Sequence, residues 1–169
     1  MHVRLERDFF SRPCPEVARD LLGQKLIFKN FTGIITETES YRNIDDPASH
    51  AHRGPTPRAG IMFGKPGISY VYFIYGMYYC LNIVTEEEGS ASAVLIRGLK
   101  LISPTEKLLN GPGKLCLELS IDKTHNNIDL VMQNDFYIAK GEIVSEFDIT
   151  PRIGIKTGLE KLWRFVAKV

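Results

Sequence analysis

Two glutamates one residue apart, Glu37 and Glu39, stand before Tyr41 at the end of the run IITETESY (Ile34 to Tyr41). Side chains alternate along a strand, so Ile35, Glu37, Glu39 and Tyr41 are expected on one face and Ile34, Thr36, Thr38 and Ser40 on the other. A carboxylate partly buried beside an aromatic ring can serve as a general base toward water, because burial moves its pKa toward the working range. Glu39 is nearer to Tyr41 and better placed for that work than Glu37. Charges on a solvated strand edge would show the same pattern.

The second chemically dense stretch is YVYFIYGMYYCLN (Tyr70 to Asn82), where Tyr70, Tyr72, Tyr75, Tyr78 and Tyr79 crowd together. Aromatic rings stack on nucleic-acid bases for about 1–3 kcal/mol each. A side chain exposed at a hairpin tip can also wedge into a base stack. Tyr70 and Tyr79 suit the core of a tyrosine-rich hairpin, whereas Tyr75 is expected at the tip, where burial is hard. His50 and His52, downstream of Asp45 and Asp46, offer metal-type donors. No HExxH or paired cysteines accompany them, and hydrogen bonding is the commoner use of loop histidines. The turn GPGK (Gly111 to Lys114) before a helix start presents N–H groups and a lysine suited to phosphate, although glycine turns before helices are widespread.

The elements that would hold these residues read as follows. Pro15 to Leu22 suits a short helix with Val17, Ala18, Leu21 and Leu22 on one face and Gly23 as its stop. Lys25 to Phe28 and Gly33 to Tyr41 suit strands joined by a turn over Asn30 to Gly33. A short helix is expected to start at Asp45–Pro47 and carry Ala48 to His52, and a long surface loop runs from Arg53 to Pro66. Ser69 to Tyr75 and Tyr78 to Val84 form a hairpin turning at Gly76–Met77. Thr85 to Ser92 is a polar loop, Ala93 to Leu99 a strand, and Pro104 to Leu109 a helical candidate. Further strands are expected at Asp129 to Met132, Phe136 to Ala139, Ile143 to Phe147 and Arg152 to Ile155. Runs of strands with few helices predict one α+β domain over residues 1–169, built on a curved antiparallel sheet with short flanking helices and a protruding hairpin.

The 169 residues suffice for one well-buried core, and 44% hydrophobic with 24% charged residues is ordinary globular composition. Cys14, Cys80 and Cys116 are odd in number and widely spaced, as expected of free thiols in a reducing compartment. The N-terminus has no apolar signal region, and Ile68 to Val84 is too short and interrupted to span a membrane, so a cytoplasmic location is expected. The net charge of +1 does not argue for nucleic acid. Its distribution says more, because Arg152, Lys156, Lys161, Arg164 and Lys168 face only Glu160 in the last twenty residues.

Taken in order, ETESY, the loop ending in TPR, MFGKPG, YVYFIYGMYYCLN, VLIRGL, GPGKLC and PRIGI resemble the alkyladenine (methylpurine) DNA glycosylase family, from about Leu21 to Ile155. The resemblance implies an enzyme that flips an alkylated or deaminated purine out of damaged double-stranded DNA and hydrolyses its N-glycosidic bond. Glu39 matches the glutamate that activates water and Arg97 an arginine that helps hold that water. Tyr41, His50 and Tyr72 match the base pocket, Asn82 the residue that crowds the amino group of normal guanine, and Tyr75 the intercalating side chain. Thr56, Arg58, Met77, Tyr78 and Lys114 match DNA-contacting positions. A monomer without metal or cofactor is implied, nucleoid-associated if bacterial. The chain departs from the pattern in its short N-terminus, its short 97–111 segment and the three glutamates of its 85–92 loop. The alternatives from residues alone are a non-catalytic nucleic-acid-binding module and a metal-dependent hydrolase using Asp46, His50 and His52.

Overall fold

The longest strands lie at the centre of the sheet and the shorter ones around them. A computed structural model describes residues 2–43 and 45–168. Helices α1 (Arg7–Phe10) and α2 (Cys14–Asp20) precede strands β1 (Lys25–Phe28) and β2 (Phe31–Tyr41). A 3₁₀ turn at Ala59–Phe63 leads to β3 (Ser69–Ile74), β4 (Tyr78–Thr85), β5 (Ser92–Ser103) and β6 (Lys107–Leu109). Helix α3 (Pro112–Leu119) is followed by β7 (Phe136–Ala139), β8 (Phe147–Thr150) and β9 (Arg164–Ala167).

The strands form one antiparallel sheet in the order β3-β4-β5-β2-β1-β7. It is curled like a half-barrel, giving a single α+β domain. Strand β2 changes partner along one edge: Ile34 and its predecessors pair with β1, whereas Glu37 to Glu39 pair with β9. The far C-terminal segment therefore docks beside the two glutamates. One face of the sheet packs on α2 and α3 through Val17, Leu21, Leu115 and Leu119, which are buried against Ile35, Ile83, Ile96 and Leu99. Val17, Ala18, Leu21 and Leu22 are all fully buried, so the apolar stripe of the first predicted helix is its core face. Thr38 completes that contact by donating its hydroxyl to the Ala18 carbonyl of α2 at 2.7 Å.

Several expected elements differ. Residues 45–52 form successive turns, with Asp46 accepting N–H groups of Arg42 and Ala48. The 104–109 segment ends in strand β6 because its Lys107 to Leu109 add to the free edge of β5 beside Leu99 to Leu101. Asp129 to Met132 is a turn held by the Asp129 side chain, which accepts the Val131 N–H. The strand expected at Ile143 to Phe147 starts only at Phe147, and Arg152 to Ile155 is irregular. The 152–155 segment spends its groups on β2 and the 41–48 loop instead of on a ladder. Among the described residues no helix is long and apolar enough to cross a membrane.

Candidate active site

A paired irregularity in the two central strands aims the polar residues. Ile35 pairs with Leu99, Glu37 with Gly98 and Thr38 with Ile96, so Thr36 is an extra residue in β2 and Arg97 an extra residue in β5. Such bulges re-aim side chains. Ile35 and Thr38 both face the helices, an odd-numbered spacing that a regular strand would place on opposite faces. The expected sharing of a face by Ile35 with Glu37 and Glu39 is thus incorrect. Glycine at 98 permits the close approach, since a Cβ there would lie 2.7 Å from Thr36 Oγ1 and 2.9 Å from Glu37 Cβ.

Glu39 is 0% exposed. Its Oε1 accepts the Tyr41 hydroxyl at 2.8 Å and lies 3.7 Å from Arg97 Nη1, and its Oε2 accepts the Ile153 N–H at 2.8 Å. Burial pushes the Glu39 carboxyl above the ordinary carboxylate value, opposed by the Ile153 N–H, Arg97 and Tyr41. Burial and the adjacent Glu39 charge push the Tyr41 hydroxyl up, which keeps it a donor. Glu37 has a different fate: its Oε2 is shared by Arg97 Nε at 3.2 Å and Arg164 Nε at 3.0 Å. Arg97 thus bridges the two glutamates.

Beside Tyr41, Arg97 and Ile153, the groups that surround the Glu39 carboxylate, opens a cavity of about 430 Å³ whose lining does not include Glu39 itself. Tyr41, His50, Tyr72, Asn82 and Arg97 all line it, with Ile153 and Gly154 at one side. His50 Nδ1 lies 3.0 Å from the Tyr70 hydroxyl, and its ring meets Tyr72 edge-on at 4.6 Å between centroids. Burial, followed by the charge of Arg58, lowers the His50 pKa, which favours the neutral ring. Asn82 is 3% exposed and donates its amide to the Tyr70 carbonyl at 3.1 Å.

The β3–β4 hairpin rises at the rim. Its last pair is Ile74 with Tyr78, and the Met77 N–H closes back on the Ile74 carbonyl at 3.1 Å. The turn is centred on Tyr75–Gly76, one residue earlier than expected. Both residues have positive φ, 56° for Tyr75 and 63° for Gly76. Tyr75 is 78% exposed and Met77 66%. Tyr75, Tyr78 and Lys114 border the cavity, and Tyr78 packs over Gly113 at the start of α3. Thr56, Arg58 and Met77 lie outside its lining. Thr56 Oγ1 caps the 3₁₀ turn by accepting the Ala59 N–H, and Arg58 stacks on Tyr72 and donates to the Phe73 carbonyl at 3.1 Å.

Two supports escaped the sequence reading. Arg152, 3% exposed, grips both oxygens of Asp46 at 2.6 and 2.7 Å and stacks on Tyr41 at 4.7 Å. Asp46 is thereby engaged by a guanidinium, which removes the carboxylate from the metal-hydrolase alternative. Ile153 acts through its backbone, for which side-chain type carries no signal. Glu86 of the acidic loop turns inward, accepting the Cys14 N–H at 2.8 Å and pairing with Arg42, which leaves Glu87 and Glu88 exposed.

This curled sheet, with an aromatic cavity above a buried carboxylate and an exposed aromatic turn at its rim, defines a protein that can seat one planar ring beside a carboxylate–guanidinium pair. The sequence profile for methylpurine-DNA glycosylase matches residues 8–169. The chain belongs to that family. It is 57% identical over 161 residues to a protein of Wolbachia sp. subsp. Brugia malayi (strain TRS), covering 95% of both chains. It is 54% identical over 168 residues to one of Ehrlichia chaffeensis, covering 98% of this chain and 93% of the relative. A protein of Sodalis glossinidius is 55% identical over 161 residues, again 95% of each. All three carry the provisional name 3-methyladenine DNA glycosylase.

Proposed function

We propose that the protein is a monofunctional DNA repair glycosylase that turns an alkylated or deaminated purine out of duplex DNA and hydrolyses its N-glycosidic bond, leaving an abasic site. The observation that carries this reading is the buried Glu39, held by Tyr41 and Ile153 and flanked by Arg97 beneath a cavity with aromatic walls.

In this reading the base enters the cavity against Tyr41, Tyr72 and His50, while Tyr75 fills the gap it leaves in the stack. Extrusion costs least where pairing is already weakened, which selects damaged sites. Glu39 deprotonates a water that Arg97 helps to position. That water attacks the anomeric carbon as the bond to the purine breaks through an oxocarbenium-like state. The bonding pair leaves with the purine, which departs neutral when it was a cationic alkylated base and takes up a proton from solvent when it was a neutral deaminated one. An alkylated purine is a good leaving group, so no cofactor is needed. Asn82, fixed on the Tyr70 carbonyl, crowds the exocyclic amino group of guanine. Thr56, Arg58, Met77, Tyr78 and Lys114 contact the backbone or groove of the DNA, and the protein acts as a monomer in the bacterial cytoplasm.

The test is base release from methylated duplex DNA in EDTA. The wild type is expected to generate abasic sites undiminished by the chelator. Glu39→Gln is expected to lose release by at least a hundredfold while still binding a duplex with an abasic analogue. Release that survives Glu39→Gln sinks the assignment.

A further inference from the structure

We infer that Arg58 sets the balance between positively charged and neutral bases in this cavity by holding a fixed cation behind one of its two aromatic walls. The inference rests on the glycosylase reading above.

Two tyrosines that line the cavity are each backed by a guanidinium. Arg58 lies 4.7 Å from the Tyr72 ring centroid, and Arg152 lies 4.7 Å from that of Tyr41. Both tyrosines line the cavity while neither arginine does, so each guanidinium is held over its ring from outside the cavity. The two cations are not equivalent. Arg152 is neutralised by its two-point contact with Asp46, and Arg97 is held between Glu37 and Glu39. Arg58 donates to the Phe73 carbonyl and forms no ion pair among the described residues. Its charge is the uncompensated one behind the walls.

An aromatic ring attracts a cation through its negative face. A second cation on the opposite face feels that attraction less the repulsion of the first. A base stacked on Tyr72 at a contact distance of about 3.5 Å would place its charge about 8 Å from the guanidinium. Between water-like and surface-like dielectric constants that repulsion weakens a cationic base by roughly 1.4-fold to fourfold after ionic screening. A neutral base is spared. The field of Arg58 reaches into the cavity, because after burial it is the second cause of the lowered His50 pKa.

The experiment compares wild type, Arg58→Gln and Arg58→Lys in single-turnover release from two duplexes, one with cationic 7-methylguanine and one with neutral hypoxanthine. Arg58→Gln is expected to raise the cationic-to-neutral rate ratio by about 1.4-fold to fourfold, and Arg58→Lys to leave it at the wild-type value. An arginine that served only as a phosphate contact would lower both rates by one factor. An unchanged ratio in Arg58→Gln, with both bases released by the wild type, overturns this inference alone. Failure of the wild type to release either base overturns the glycosylase reading beneath it.

Discussion

Glu39 and Glu37 sit two positions apart in one strand, yet their surroundings differ. Glu37 meets two guanidiniums, whereas Glu39 is buried and has its carboxyl raised by that burial. A general base works as the carboxylate, so a raised pKa moves the onset of activity upward. Release of hypoxanthine is expected to climb with pH as Glu39 ionises, with a midpoint above the ordinary glutamate value of about 4.3, and to level off beyond it. A profile with its midpoint at or below that value would count against Glu39 as the base. Glu39→Gln should melt no lower than wild type, because the amide avoids the cost of burying a charge. Strand alternation brought Glu39 and Tyr41 to one side, as the 2.8 Å hydrogen bond between them requires. Nearness to Tyr41 and the family resemblance favour Glu39 over Glu37. The contacts that give the two carboxylates different surroundings were not legible, since they come from Arg164 and Ile153, both more than a hundred residues away in the chain.

The hairpin and the paired bulge are the elements that aim these residues. Tyr75 occupies the left-handed region, which costs an ordinary side chain roughly 1–2 kcal/mol. Its ring is exposed, so nothing in the fold repays that strain. Tyr75→Gly is expected to raise the melting temperature by about 2–4 °C while cutting release from duplex DNA more than tenfold. Release from single strands should fall much less, because there is no stack to refill. Loss of release from both substrates alike would argue against a wedge. Gly98→Ala, by contrast, forces Thr36 and Glu37 away from β5. It should lower both stability and the rate, and circular dichroism melts beside release assays would measure the two effects. The hairpin was legible because alternating aromatics flank a glycine, and its tip was misplaced by one residue because tyrosine at positive φ is uncommon. The bulges left no trace in composition, so the helix-facing side of Ile35 could not be read from periodicity.

At the scale of the whole molecule, one buried ion pair ties the 41–48 loop, the end of β2 and the C-terminal segment together. Arg152 reaches Asp46, the Ser40 carbonyl and the Gly158 carbonyl from beneath Tyr41. Breaking one side of a buried pair leaves an uncompensated charge and costs about 3–5 kcal/mol. Asp46→Asn is therefore expected to lower the melting temperature by on the order of 10 °C, and the double variant Asp46→Asn/Arg152→Met to recover part of the loss. A melt of Asp46→Asn indistinguishable from wild type would show that the pair holds nothing together. The domain class was legible from runs of strands with turn residues between them. The route of residues 141–168 was not, because their partners outside the segment lie at Gly23–Gln24, on β2 and in the 41–48 loop, and are invisible to any local window. That route sets a timetable for biogenesis. Strand β9 docks beside Glu37 to Glu39, and Ile153 supplies the hydrogen bond that fixes Glu39. A nascent chain that has already threaded the helices, the hairpin and both central strands out of the ribosome still has Glu39 without its anchor. The buried setting of Glu39 would form late, as the final strand emerges. A polypeptide cut short before residue 150 would carry the β3–β4 hairpin and the tyrosine walls of the cavity but neither the anchor of Glu39 nor the side of the cavity that Ile153 to Ile155 supply.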